Sequence, residues 1–96
     1  MLILVTYDVN TVDSDGAKRL RHVAKICEDY GQRVQNSVFE CVVDESQYCL
    51  LKSKLIDKID EKKDSLRLYR LGNRYKGKVE HFGTKKVIDQ EGVLMF

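Results

Sequence analysis

The sequence predicts an α+β chain of the ferredoxin-like type: a βαββαβ sandwich with an antiparallel sheet and two helices on one face. Three observations predict it. Apolar residues pass from continuous runs to three- and four-residue spacing and back, in the order strand, helix, strand, strand, helix, strand. The two most apolar strand segments, 1–9 and 37–43, are those that right-handed crossovers place at the sheet centre. The chain has 96 residues, which suits a single domain burying about 65% of its extended-chain surface.

The elements follow in order. Met1 to Val9 is rich in aliphatic and β-branched residues and too short for a helix, so it reads as a strand buried on both faces, ending in Tyr7-Asp8-Val9. Asp13, Ser14 and Asp15 offer N-caps. Ala17, Leu20, Val23, Ala24 and Cys27 then form a helical stripe, which Gly31 stops. Gln32 to Gln35 is a polar-edged strand, Asn36 supplies turn chemistry, and Ser37 to Val43 completes a hairpin. Asp44 and Gln47 have capping-box spacing ahead of the stripe Tyr48, Leu51, Leu55, Ile56 and Ile59. Leu66, Leu68, Tyr69 and Leu71 form a fourth strand closing at Gly72-Asn73, with Tyr69 expected in the core. Beyond it lie two short candidate strands, Val79 to Phe82 and Val93 to Phe96. The divisions expected are a domain over 1–78 and a C-terminal tail over 79–96 that contacts a dimer mate or a partner.

Composition excludes several classes. Apolar content of 43% and charged content of 33% are those of ordinary globular proteins. No run approaches the roughly 20 apolar residues of a membrane span, and Leu2 to Val5 lacks a preceding basic region. A membrane partner is therefore not expected, and the expected location is cytoplasmic. Cys27, Cys41 and Cys49 are odd in number and show no metal-ligand spacing, so reduced, mostly core-facing thiols are expected. The net charge is only +2, yet it is unevenly spread. Residues 66–86 hold Arg67, Arg70, Arg74, Lys76, Lys78, Lys85 and Lys86 against Glu80 alone, and Lys18, Arg19, Arg21 and Lys25 form a second cluster. The first of these mixes its cations with Tyr69, Tyr75 and Phe82, which suits phosphate tracking with some stacking; Tyr75 is expected exposed, and His81 could touch nucleic acid.

Asp8 is the most informative residue. An acid ending an apolar central strand must be solvated, paired or bound to a cation, and it either accepts loop N–H groups or serves a function. Asp13 and Asp15 are better read as helix caps. One carboxylate is little for a magnesium-assisted phosphodiesterase, but a two-fold dimer joined near the ends of the first strand would supply a second Asp8 and place the metal on the dyad. Arg19 and Arg21, early in the first helix, oppose its macrodipole, which hints at an anionic ligand; Arg33 lies near the same end, and arginine grips phosphate through a planar fork. Ser37 has no histidine in sequence relation to it, so a Ser/His/Asp site is not expected, and a structural or phosphate-contact role remains.

The run Leu4-Val5-Thr6-Tyr7-Asp8-Val9, the helix run Lys18-Arg19-Leu20-Arg21 and the block Gly31-Gln32-Arg33-Val34-Gln35-Asn36-Ser37-Val38-Phe39-Glu40-Cys41 together resemble the CRISPR-associated protein 2 family over nearly the whole chain. Arg67 to Asn73 and Val79-Glu80-His81-Phe82-Gly83 are similar to the version found beside type I-C systems. The resemblance implies a ferredoxin-like homodimer, with residues 1–78 as the nuclease domain. It implies Mg²⁺ or Mn²⁺ near paired Asp8 carboxylates and cleavage of RNA or double-stranded DNA in spacer acquisition and antiviral defence. By matching position, Asp8 takes the catalytic and metal role. Arg19, Arg21 and Arg33 take phosphate or structural roles, and Ser37 and Phe39 shape the site with Tyr7; the nucleic-acid contacts expected are Arg19, Arg21, Arg33 and Ser37, together with Arg74, Lys76 and Lys78 of the basic segment. It also implies a CRISPR integrase subunit as partner, and hence a rival reading: a noncatalytic scaffold that holds DNA and bridges integrase dimers. A toxin-type ribonuclease is a third reading, by analogy of fold alone.

Overall fold

The computed structural model describes residues 1–10, 12 and 14–83. The elements run β1 (Leu2–Asp8), α1 (Gly16–Tyr30), β2 (Gly31–Gln35), β3 (Val38–Val42), α2 (Glu45–Lys58) and β4 (Ser65–Gly72). The four strands form one antiparallel sheet in the order β2-β3-β1-β4, so the two most apolar strands hold the centre as expected. No helix among the described residues is long and apolar enough to cross a membrane.

Strand alternation decides which side is covered. Ile3, Val5 and Tyr7 of β1 and Phe39 and Cys41 of β3 point to one face. There they pack with Val23, Ala24 and Cys27 of α1 and Tyr48, Leu51 and Leu55 of α2 in a single core. Leu4, Thr6 and Asp8, with Val38, Glu40, Arg67 and Tyr69, belong to the opposite face. Tyr69 is therefore not a core residue: it sits between the inward positions of Leu68 and Arg70 in β4 and is 41% exposed.

Local chemistry accounts for the ends of the elements. Asp44 caps α2 with a complete box: Gln47 N–H donates to Asp44 Oδ1 at 2.7 Å, and Asp44 N–H donates to Gln47 Oε1 at 2.9 Å. Asp15 occupies the N-cap of α1 without a side-chain capping bond, and Asp13 lies outside the described residues. Gly31 does not end α1 through a left-handed turn. It is extended and opens β2, where a Cβ would collide with the Glu40 carbonyl, so close strand approach is what requires glycine. Cys27, Cys41 and Cys49 are all free, the first two buried and the third exposed. The Cys27 thiol is pushed up by its contact with Cys41 and by burial, which leaves it an inert core group.

Past β4 the chain turns away through Gly72 and Gly77, both at positive φ. Val79 to Phe82, expected as a strand, makes no ladder among the described residues. The second candidate strand, Val93 to Phe96, lies outside the described residues.

Candidate active site at the end of the first strand

The carboxyl end of β1 meets the start of β4, with Asp8 paired to Ser65 and Thr6 to Arg67, while Thr6 pairs with Val38 of β3 on the other side. This leaves an open depression of about 400 Å³ lined by Thr6, Tyr7, Asp8, Ser37, Val38, Ser65, Arg67 and Tyr69. Asp8 is exposed, and among the described residues its carboxylate takes no hydrogen bond or ion pair. Hydroxyls of Thr6, Ser37, Ser65 and Tyr69 and the guanidinium of Arg67, whose Nη1 donates to Tyr69 Oη at 3.3 Å, share the same hollow.

Behind Asp8 lies a second acid that is fully committed. The side chain of Asp64 is 0% exposed. Arg19 donates to it twice, Nε to Oδ2 at 2.8 Å and Nη2 to Oδ1 at 3.0 Å. The Tyr7 hydroxyl donates to Oδ2, the Asn10 amide to Oδ1 at 3.1 Å, and the Asp60 amide to Oδ2 at 3.1 Å. Burial alone would raise the Asp64 carboxyl, but the bonds from Arg19, Tyr7, Asn10 and Asp60 outweigh it and hold the group well below the ordinary carboxylate range. Tyr7 is pushed up to about 12 by burial and by that neighbouring carboxylate, so it remains a donor at any physiological pH.

The sequence-predicted residues divide accordingly. Arg19 was expected to meet an external anion; the structure supplies the anion internally as Asp64, and the Arg19 side chain is only 13% exposed. That partner explains a cation in the first turn of α1, against the macrodipole. Arg33 donates to the Asn36 carbonyl at 2.8 and 2.5 Å and lies over the Phe39 ring at 5.5 Å, so it braces the β2–β3 turn that carries Ser37. The Ser37 carbonyl accepts the Tyr7 amide at 2.9 Å, which places Ser37 beside Asp8. Phe39 is wholly buried and shapes the site only from beneath. Arg21, Arg74 and Lys76 are exposed, while Lys78 donates to the Leu71 carbonyl at 3.0 Å. Tyr75 is half-buried.

His81, which by sequence could touch nucleic acid, lies close enough to Glu40 to act on it electrostatically. Glu40 points away from the core between Phe39 and Cys41, yet it is only 2% exposed. Its Oε1 and the His81 Nε2 are buried without hydrogen-bond partners among the described residues. Burial raises the Glu40 carboxyl, and His81 partly opposes that rise.

No group of three or more His, Cys, Asp or Glu side chains able to hold a metal occurs among the described residues. Among the described residues the depression offers a cation one carboxylate, Asp8, with Thr6, Ser37, Ser65 and Tyr69 beside it. Such an all-oxygen set fits a hard ion that keeps most of its water, but it cannot form a closed protein cage. Asp64 is a site residue that the sequence does not single out, and Arg67 and Tyr69 stand in it only as members of the basic segment with interspersed aromatics. The antiparallel pairing of β1 with β4 is the signal that could have found them, because it brings residues 65–69 alongside Leu4 to Asp8, with Asp64 next in the chain.

Fold and site together define the class: a ferredoxin-like α+β domain with an acidic, hydroxyl- and guanidinium-lined depression on the open face of its sheet. Residues 1–79 match the family model described as CRISPR associated protein Cas2, and the chain belongs to that family. It is 64% identical over 96 residues, covering 100% of both chains, to the CRISPR-associated endonuclease Cas2 of Halalkalibacterium halodurans. It is 57% identical over 95 residues, 99% of both, to the CRISPR-associated endoribonuclease Cas2 of Chlorobaculum tepidum. Among solved structures, Streptococcus pyogenes Cas2 superposes with a TM-score of 0.78 at 58% identity, covering 86% of this chain and 100% of that one.

Proposed function

We infer that the chain is a nuclease of CRISPR defence, and we propose that it cleaves phosphodiester bonds of RNA or double-stranded DNA as a homodimer, with Mg²⁺ or Mn²⁺ between the two copies of Asp8. The observation that carries this reading is an exposed Asp8 carboxylate with no partner among the described residues, at the end of a buried strand. Relatives named as endonuclease and endoribonuclease support the reaction class. The dimer is supported by the single carboxylate that the described residues bring to the depression and by the apolar and aromatic groups on the open sheet face, Leu4, Val38 and Tyr69. A divalent cation, when bound, supplies Lewis acidity toward a phosphoryl oxygen and a lowered pKa for water. Asp8 would hold such a cation through its carboxylate, and Arg67, which lines the same depression, would offset charge on a phosphate bound there. Ser37 and Ser65 offer hydroxyl contacts to the sugar-phosphate backbone.

A second reading, a scaffold that binds duplex DNA and bridges the CRISPR integrase, is favoured by Arg21, Arg74 and Lys76, which are exposed and take no partner among the described residues. One experiment separates the two. Wild type and Asp8→Ala are incubated with labelled RNA and duplex DNA in EDTA, Mg²⁺ or Mn²⁺. Cleavage that requires the cation and disappears in Asp8→Ala supports the nuclease; salt-sensitive DNA binding without Asp8-dependent cleavage supports the scaffold.

A further inference from the structure

Asp64 lies at the junction of four segments, and its position relative to Asp8 is specific. Tyr7, immediately before Asp8, and Asn10, two residues after it, both donate to the one Asp64 carboxylate. The peptide segment carrying Asp8 is thus clamped on both sides by a single buried group. Arg19 ties that group to α1, and the Asp60 amide ties it to the loop after α2. From the other side, a Cβ on Gly16 would collide with the Asn10 carbonyl, so the helix start presses directly on the same segment. Asp8 itself receives no such support: its carboxylate depends on its backbone for its direction.

We propose that Asp64 is a positioning residue for Asp8, fixing the backbone from Tyr7 to Asn10 so that the free carboxylate is aimed into the depression. The proposal rests on the reading of Asp8 as the cation-holding acid. It assigns Asp64 no contact with substrate or cation: five donors already occupy its two oxygens. Groups one step removed from a metal ligand commonly alter affinity or activity by roughly 10- to 100-fold when changed.

The test uses the full chain with Asp64→Asn, which keeps the shape and removes the charge, and Tyr7→Phe, which keeps the Arg19 ion pair and removes one clamp. Three quantities are read: hydrogen exchange at the Asn10 amide, binding of Mn²⁺ alone, and kcat and KM for cleavage. In Asp64→Asn, Asn10 exchange accelerates at least about tenfold, Mn²⁺ binding weakens and kcat falls roughly 10- to 100-fold, with KM for nucleic acid nearly constant. Tyr7→Phe moves the same quantities in the same direction by less, and it carries the test should Asp64→Asn fail to fold. Val43→Ala, a core truncation beside Met1 at the opposite end of β1 from Asp8, provides the comparison: it lowers the melting temperature but leaves Mn²⁺ affinity and kcat per folded molecule unchanged. A folded Asp64→Asn with wild-type Mn²⁺ binding and kcat overturns the proposal while leaving Asp8 in its role. An Asp8→Ala variant that binds Mn²⁺ and cleaves like wild type overturns the reading beneath it.

Discussion

Replacing Asp64 by alanine is the most informative single perturbation of stability. It removes the acceptor for Tyr7, Arg19, Asn10 and Asp60 together. The Arg19 guanidinium, 13% exposed, loses a partner whose side chain is 0% exposed. Breaking a buried ion pair by deleting one member destabilises by about 3–5 kcal/mol, and a stranded Tyr7 hydroxyl adds about 1 kcal/mol where water cannot reach it. With total stability in the range of roughly 5–15 kcal/mol for a domain of this size, a loss of about 4 kcal/mol leaves the variant marginal. At about 4–8 °C per kcal/mol, it lowers Tm by roughly 15–30 °C. The internal control is Glu45→Ala, which breaks the Arg70–Glu45 pair at 2.6 Å; those side chains are 50% and 72% exposed, so the loss is at most about 1 kcal/mol. The pH dependence has a definite sign. Because the folded Asp64 carboxyl lies below its ordinary value of 3.8, its contribution is fully present above that value and is lost as pH falls toward the folded one. Urea melts by circular dichroism should therefore show a constant gap between wild type and Asp64→Ala from pH 6 to 8, narrowing below about pH 4. A loss under about 1 kcal/mol, or one equal to that of Glu45→Ala, refutes the network as the structural support of the site.

Three further outcomes are expected. Burial raises the Glu40 carboxyl despite the opposing influence of His81, so ionised Glu40 costs stability above its raised value; Glu40→Gln should raise Tm at pH 8, and the gap between the two proteins should close as the pH falls into the acid range in a calorimetric pH series. Gly31→Ala places a methyl group against the Glu40 carbonyl and should destabilise by about 2 kcal/mol or more in the same denaturant assay, an effect beyond any change in glycine entropy. Neutralising Arg21, Arg74 and Lys76 together should weaken duplex binding uniformly across sequences and flatten the slope of log K against log salt by about three, read by fluorescence anisotropy at several salt concentrations.

Much of the architecture was legible because its determinants are local. Ile3, Val5 and Tyr7 announce a central strand, the Asp44–Gln47 box announces α2, and the helical stripes name most of the helix residues that the structure buries, although Ala17 and Ile56 of those stripes are exposed. Asp8 could be singled out because an acid stands out in an apolar run. What the local pattern could not convey is how residues far apart in sequence meet. Arg19 and Asp64 are separated by 45 positions, so the first appeared as an unexplained cation and the second as one polar loop residue among several. Tyr69 is expected in the core from the apolar segment Leu66, Leu68, Tyr69 and Leu71, whereas alternation with Leu66 and Leu68 turns it to the open face. His81 read as one more member of a basic tract until the turns at Gly72 and Gly77 brought it to Glu40.

The central claim is that one chain contributes a single cation-holding carboxylate, Asp8, and that two chains complete the site. Titration of the full-length protein with Mn²⁺, followed by electron paramagnetic resonance and isothermal calorimetry at a known protomer concentration, tests it most directly. The account predicts one tightly held ion for every two chains, abolished in Asp8→Ala without loss of the fold. One ion per chain, or an undiminished ion in Asp8→Ala, contradicts it.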